Sequence, residues 1–484
     1  MTQSLPPLTP DTELFGELSA MQAETSRPRR TPGEWAALGL TWLGAVGFAA
    51  CLIAPKIAGT WAMLLATGGA VAGGGLAYQA LRYAGREPGI HHDGLQFRSA
   101  WQRGAWGWLA GVAMTAFYCV LYWWEADWGA NPLQGGIALV DPLAQTLSGA
   151  PADQWFLYGT LYTLAVLVMG GRMFWKYRHS RYHLARTASV MFFQLALAFL
   201  LPNLLKHAGQ PEFYLSYFWP LKPEYLLPFS VGWTLDGGSL GRAMILWGAL
   251  ASFVAVPVLT WRFGKRWYCS WVCGCGGLAE TLGDPWRHLS DNSTRAWRIE
   301  RWSIHLVLVA IVAITGGLWL HEALGRPWWS DGGQGLYYKT YGFIIGAAFS
   351  GVIGVGFYPL LGSRVWCRFG CPQAAILGLI QRFFSRFRIT TNGGQCISCG
   401  NCSTYCEMGI DVRAYAQRGE NIVRASCVGC GVCAAVCPRG VLRLENGAVD
   451  DRFDGADQPL IDLLRATGVL RKDWDETEPV EPAA

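Results

Sequence analysis

Eight near-continuous apolar stretches, each close to the roughly 20 residues a helix needs to cross a bilayer, set the first constraint on this chain. They read as 35–54, 60–81, 104–124, 155–175, 187–205, 242–261, 302–320 and 342–361. Most are bounded by Trp, Tyr, Arg or Lys, which anchor helices at lipid headgroups. Only 15% of the residues are charged, against about 25% in a soluble globular chain. That composition excludes a disordered protein, a coiled coil and a secreted disulfide mini-domain. The expectation is a mainly α-helical polytopic membrane protein with a smaller soluble part.

Lys and Arg in the short loops predict the orientation. Segments 1–34, 82–103, 176–186 and 262–301 hold 18 basic residues, and the loops 55–59, 125–154, 206–241 and 321–341 hold 5. Both termini are therefore expected in the cytoplasm. The net charge of +5 reads as a topology signal rather than a nucleic-acid footprint, so no nucleic-acid partner is expected. Residues 1–34 are polar and Pro-rich, with Arg27, Arg29 and Arg30 before the first span and no visible cleavable signal peptide. Small residues recur at four-residue spacing in the last span, at Gly342, Gly346, Ser350 and Gly354. They predict close helix packing, as do Gly68, Gly69, Gly73, Gly74 and Gly75 in the second.

The fifteen cysteines are clustered: eight between Cys396 and Cys437, five within 269–275 and 367–371, and Cys51 and Cys119 apart. Clustering of this kind argues for metal chemistry rather than a disulfide framework. Cys396, Cys399 and Cys402 form C-x2-C-x2-C, and Cys406 follows. Cys427, Cys430, Cys433 and Cys437 repeat the spacing, and Pro438 completes the second motif. This is the spacing of bacterial two-cluster ferredoxins, in which the fourth cysteine serves the other cluster. It predicts one [4Fe–4S] cluster on Cys396, Cys399, Cys402 and Cys437, and a second on Cys427, Cys430, Cys433 and Cys406. Gly400, Gly429 and Gly431 suit close backbone approach. A zinc site, which pairs two C-x2-C units with four ligands in all, fits two runs of four poorly. One departure stands out: Cys406 is followed by Glu407 and not by Pro.

Two further motifs follow the sixth and eighth spans. Gly264, Arg266, Cys269 and Cys273 recur as Gly362, Arg364, Cys367 and Cys371, an offset of 98 residues. Both units run in the same direction, which predicts a pseudo-two-fold axis along the membrane normal. If each pair sits at i and i+4 of a helix, two facing pairs make a four-thiolate site. Soft thiolates suit iron–sulfur, zinc or monovalent copper, and inert burial is the alternative. Cys275 has Gln373 as its counterpart and is a candidate substitute ligand.

Two membrane-edge C-x3-C motifs followed by a double ferredoxin motif resemble the NosR/NapH/CcoG-type membrane polyferredoxins, over about residues 187–445. The resemblance implies two cytoplasmic [4Fe–4S] clusters and electron transfer at the bacterial inner membrane. It implies either quinol-linked delivery to a redox partner or, as the alternative, copper handling and cupric reduction. The chain departs from the family at Gly274-Cys275, where the family has Pro. No large outside domain is expected, and so no flavin-binding domain of the NosR branch. The expected organisation is a cytoplasmic arm 1–34, a first four-helix unit 35–186, a polyferredoxin-type four-helix core 187–388, a two-cluster α+β ferredoxin domain with βαβ repeats at 389–449, and a tail 450–484.

Weaker signals are read more blandly. His207, His305 and His321 lie near span ends, where a pair at equal depth could hold a haem or touch a quinone; rim residues are the preferred reading. His179 and His183, beside Lys176, Arg178 and Arg181, read as a solvated helix end. The aromatic loop 206–241 is expected to lie on the bilayer surface. The acidic end beyond Asp450 is expected to dock on the ferredoxin part or on a partner.

Overall fold

Thr31 and Glu34 form a reciprocal capping box, each side chain accepting from the other's backbone N–H, and so start the first membrane helix. In the computed structural model, which describes residues 30–84, 104–325, 333–392 and 395–446, eight helices are long and apolar enough to cross a membrane. The arm before residue 30 and the acidic tail lie outside the described residues.

The spanning helices are α1 Pro32–Ile53, α2 Trp61–Ala84, α3 Gly104–Trp123, α5 Gln154–Lys176, α6 Arg181–His207, α7 Gly238–Phe263, α10 Thr294–Leu324 and α11 Gln334–Gly356. An additional helix, α4 Gln134–Ser148, ends on left-handed Gly149 and occupies the connection 125–154. Between α7 and α10 lie the short α8 Arg266–Cys269 and α9 Gly274–Thr281. After α11 come α12 Val365–Phe369 and α13 Pro372–Phe384.

The soluble part holds a two-stranded antiparallel sheet, β1 Phe387–Thr390 with β2 Arg443–Asn446, in register from Phe387↔Asn446 to Thr390↔Arg443. Three short helices complete it, α14 Asn401–Thr404, α15 Val412–Gln417 and α16 Val432–Ala435. Ile422 adds only a single bridge to Ile389 in place of a further strand.

The glycine expectations divide. Gly44 and Gly74 set the close α1–α2 approach: a Cβ on Gly74 would stand 2.6 Å from Thr41 N, and one on Gly44 2.7 Å from Thr67 O. Gly68, Gly69, Gly73 and Gly346 have nothing within 4 Å of an added Cβ. In α11 the tight contacts are those of Gly354 from the expected ridge, on Trp366 at 2.9 Å, and of Gly351 on Tyr122, at 2.5 Å, and Gly356 on Thr115, at 2.9 Å. Gly342, Gly346 and Ser350 line a cavity instead, in a helix whose i→i+5 hydrogen bonding over Tyr337–Gly356 widens it and rotates its faces.

The loop after α6 does not lie on the bilayer surface. His207 packs near Gly149 at the outer end of the bundle, yet Phe218 stacks 4.9 Å from Tyr268 at the opposite edge. Ten extended residues can cover that descent, at about 3.3 Å each. The loop is re-entrant. Its backbone is satisfied inside the protein, with Tyr225 Oη accepting from Tyr214 N at 2.7 Å and Tyr268 Oη donating to Ser216 O at 2.8 Å. Irregular backbone is tolerated at membrane depth only when buried in protein or lining a cavity.

Candidate iron–sulfur and membrane-edge cysteine sites

The two ferredoxin motifs repeat with an offset of 31 residues, and the backbone repeats with them. Ser398 and Gly429, each just before the second cysteine of its motif, have φ 58° and 62°. Gly400 and Gly431 have φ 78° and 80° and start α14 and α16. Gly409 and Gly440 follow at 59° and 62°. Left-handed residues turn amides inward around each loop. Burial pushes the Cys402 and Cys427 thiols up to about 11. It pushes Cys406 and Cys430 up to about 12, with backbone amides opposing the rise at Cys402, Cys406 and Cys427.

Cys396, Cys399, Cys402 and Cys437 line one small cavity, and Cys406, Cys427, Cys430 and Cys433 line another. Among the described residues no three Cys, His, Asp or Glu side chains are close enough to share a single metal ion. A cubane spreads its thiolates over four iron corners, so four cysteines standing around a void fit a cluster and not zinc.

The two loops differ in what surrounds them. From Arg424 to Cys430, six of seven carbonyls accept from side chains of the bundle. Gln381 serves Arg424 and Cys427 at 2.8 Å, Lys265 serves Ala425 at 3.3 Å, and Ser270 serves Val428 at 2.7 Å. Tyr182 serves Gly429 at 2.9 Å and Arg186 serves Cys430 at 2.7 Å. The segment around His183 is thus a docking surface and not a solvated helix end: His183 is 2% exposed and stacked 4.7 Å from Tyr177. Around Cys396–Cys399 the protein is open, with Cys399 exposed and Ile397 57% exposed.

Beneath the second loop lies an ionic network that the sequence did not announce. Arg186, Arg287 and Arg364 converge on Glu280 at 2.5, 2.9 and 3.3 Å. Arg287 and Arg364 also hold Glu407 at 3.2 and 2.9 Å. Asp284 joins Arg287, Lys176 and Arg172, each at 3.3 Å. Burial alone would raise the Glu280 carboxyl, but the three guanidiniums hold it well below the usual range. Lys176, Arg172 and Arg287 hold Asp284 down in the same way. Glu407, the residue in the place of the motif's proline, is fully buried and ties the Cys406 loop to the membrane unit. Arg364 goes on to donate to Cys269 O at 3.2 Å and to Cys367 Sγ at 3.8 Å.

The membrane-edge cysteines do not sit at i and i+4 of one helix. Cys269 ends α8 and Cys273 is the extended N-cap of α9; Cys367 lies in α12 and Cys371 is the extended N-cap of α13. Pro372 keeps Cys371 out of the helical region, and the first unit makes the same turn without a proline. Cys269, Cys273, Cys367 and Cys371 are all buried. Burial pushes the Cys269 thiol up to about 12 and raises Cys367 and Cys371, while Cys273 is raised first by its hydrogen bond with Cys275. Cys275 packs against both core clusters that contain these thiols.

Cys275 and Cys367 also line a large cavity of about 870 Å³. Its walls are aromatic, with Tyr158 and Tyr162 from α5, Tyr214 and Tyr217 from the re-entrant loop, and Tyr341 from α11. The buried Gln194 Oε1 and Ser363 Oγ line it without a hydrogen-bond partner.

A 4Fe-4S dicluster domain matches residues 395–442, and a 4Fe-4S binding domain matches twice, at 245–291 and 344–390. The chain is similar to the putative electron transport protein YccM of Escherichia coli (strain K12), at 26% identity over 185 residues. That match covers 35% of this chain and 47% of YccM, so the chain spans about half the length of that relative. No solved structure matches. The fold, the paired cavities and the matched domains agree on a multi-pass membrane protein with a ferredoxin-type domain that binds two [4Fe–4S] clusters.

Proposed function

We propose that this is an electron-transfer protein of the NosR/NapH/CcoG type, in the bacterial inner membrane with its ferredoxin side in the cytoplasm. It relays electrons between a carrier on that side and a quinone or partner redox system reached through the bundle. One observation carries the reading: the cysteine sites form a series from water to the membrane interior. The loop tip of the first site is exposed, the loop of the second is covered by the bundle, and Arg364 joins its ionic anchor to Cys269 and Cys367. From there Cys367 and Cys275 face the large aromatic cavity.

The two clusters supply one-electron transfer. Cys396, Cys399, Cys402 and Cys437 hold the outer one, and Cys406, Cys427, Cys430 and Cys433 the inner one. Arg186, Arg287 and Arg364 place positive charge beside the inner site. Gln194 and Ser363 offer unpartnered polar atoms to the head group of a cavity ligand, and the tyrosines offer an apolar body.

The test is anaerobic purification into nanodiscs, with iron and sulfide analysis and electron paramagnetic resonance. About eight iron and eight sulfide per chain are expected, with reduced clusters oxidised by a short-chain quinone. Gly346→Phe, directed into the open cavity, should slow that oxidation without iron loss. Reduced clusters that no quinone and no membrane partner can oxidise would refute the proposal.

A further inference from the structure

We infer that the water-facing edge of the first cysteine cavity is the docking site of a small acidic electron-carrier protein. The inference rests on the electron-transfer reading and adds the partner's chemistry. Electron transfer weakens steeply with distance, so a soluble partner must approach a cluster closely. The second site offers no such approach, since bundle side chains occupy six of the seven carbonyls of 424–430. The first does, at the loop tip Ile397-Ser398-Cys399, where all three residues are exposed.

That tip is a built feature. Ser398 is the one non-glycine residue with positive φ among the described residues. It is pinned by Gln417, whose Nε2 donates to Ser398 Oγ at 2.8 Å. Left-handed backbone is unfavourable for a non-glycine residue, and such strain persists where surrounding structure enforces it.

Among the described residues the charge lining the tip has one sign. Arg413 and Arg439 line this cavity, both exposed, and no carboxylate lines it. Neither guanidinium is in an ion pair among the described residues, and the nearby acids are committed elsewhere. Asp411 accepts from Ser403 Oγ at 2.7 Å, and Glu420 pairs with Arg418 at 2.8 Å. Two free guanidiniums flanking one exposed aliphatic side chain suit a small, transient, charge-steered interface. A carrier with a ring of carboxylates around its own redox group complements it, and a basic carrier is repelled.

The experiment uses the full-length, cluster-loaded protein in nanodiscs of zwitterionic lipid. The probe is an acidic plant-type [2Fe–2S] ferredoxin. Its oxidised form is tested for binding, and its reduced form for the stopped-flow rate of cluster reduction; dithionite serves as a reductant that needs no docking. Both ferredoxin readouts should fall about tenfold or more as salt rises from about 50 to about 500 mM. The double variant R413E/R439E should lose at least as much, with unchanged iron content and unchanged dithionite rate. The charge-conserving R413K/R439K should keep most of the binding. Unchanged binding and rate in the charge-reversed variant, faster reduction by a basic carrier than by the acidic one, or loss in the lysine variant equal to that in the glutamate variant would each overturn the docking site. The electron-transfer reading survives those outcomes. It fails separately, when dithionite-reduced clusters pass electrons to no acceptor.

Discussion

The two cluster loops share one backbone and live in opposite environments. Ser398 and Gly429 occupy the same turn at nearly the same φ. A Cβ on Gly429 would stand 2.6 Å from Arg266 Cβ and 3.0 Å from the Phe387 ring, whereas Ser398 faces water. Glu407 and Pro438 are likewise equivalent in sequence; the first is buried between two arginines and the second is exposed. A symmetric pair of metal sites has thus been specialised by its surroundings and not by its ligands. One is left open to solution, and the other is fastened to the membrane unit.

The sharpest way to break this comparison is to remove one ligand from each site. Cys433→Ala should cost about half of the iron and also free the ferredoxin part for proteolysis. Cys399→Ala should cost a similar share of iron and leave that part seated. Equal protease sensitivity in the two variants would mean that the second loop is not the fastening. Next comes the Glu407–Pro438 pair. Glu407→Gln leaves two arginines facing an uncharged partner and should destabilise by about 3–5 kcal/mol in chemical denaturation. Pro438→Glu should fall within about 0.5 kcal/mol of the parent.

Acid titration addresses the same fastening. Glu280 and Asp284 have folded values depressed below their unfolded ones, so their contribution is complete above the usual carboxylate range. It is lost only as pH falls through the depressed values. The thermal midpoint should hold as pH drops to about 5 and decline below about 4. Glu280→Gln should flatten that decline and lower the midpoint at neutral pH. The smallest effect expected is at the turn residues themselves. Ser398→Gly should change stability by no more than about 1 kcal/mol, because relief of the left-handed backbone is partly offset by the larger chain entropy of glycine. Gly429→Ser should cost more, because its Cβ meets Arg266 and Phe387.

Features written locally were legible in the sequence. All eight spans and both cysteine spacings could be read because a span is contiguous and a cluster loop folds within a few residues. Features that join distant parts were not. Arg186 and Glu280 are separated by 94 positions, Lys176 and Asp284 by 108; alone, each cation looks like a topology signal. Glu407 looked like a missing proline because the arginines that explain it lie in another unit. The re-entrant loop carried a real signal, its aromatic and proline content, but that content suits a bilayer surface equally well. The i, i+4 spacing of the membrane-edge cysteines suggested one helix, whereas in both units the second cysteine caps a new helix instead.

The captured carbonyls of 424–430 bear on how the protein is made. Their donors, Tyr182, Arg186, Lys265, Ser270 and Gln381, all leave the ribosome earlier than the segment they hold. The side chains that hold the inner loop are therefore already synthesised when that loop emerges. A gene fragment encoding the ferredoxin part by itself would yield a polypeptide deprived of its mould.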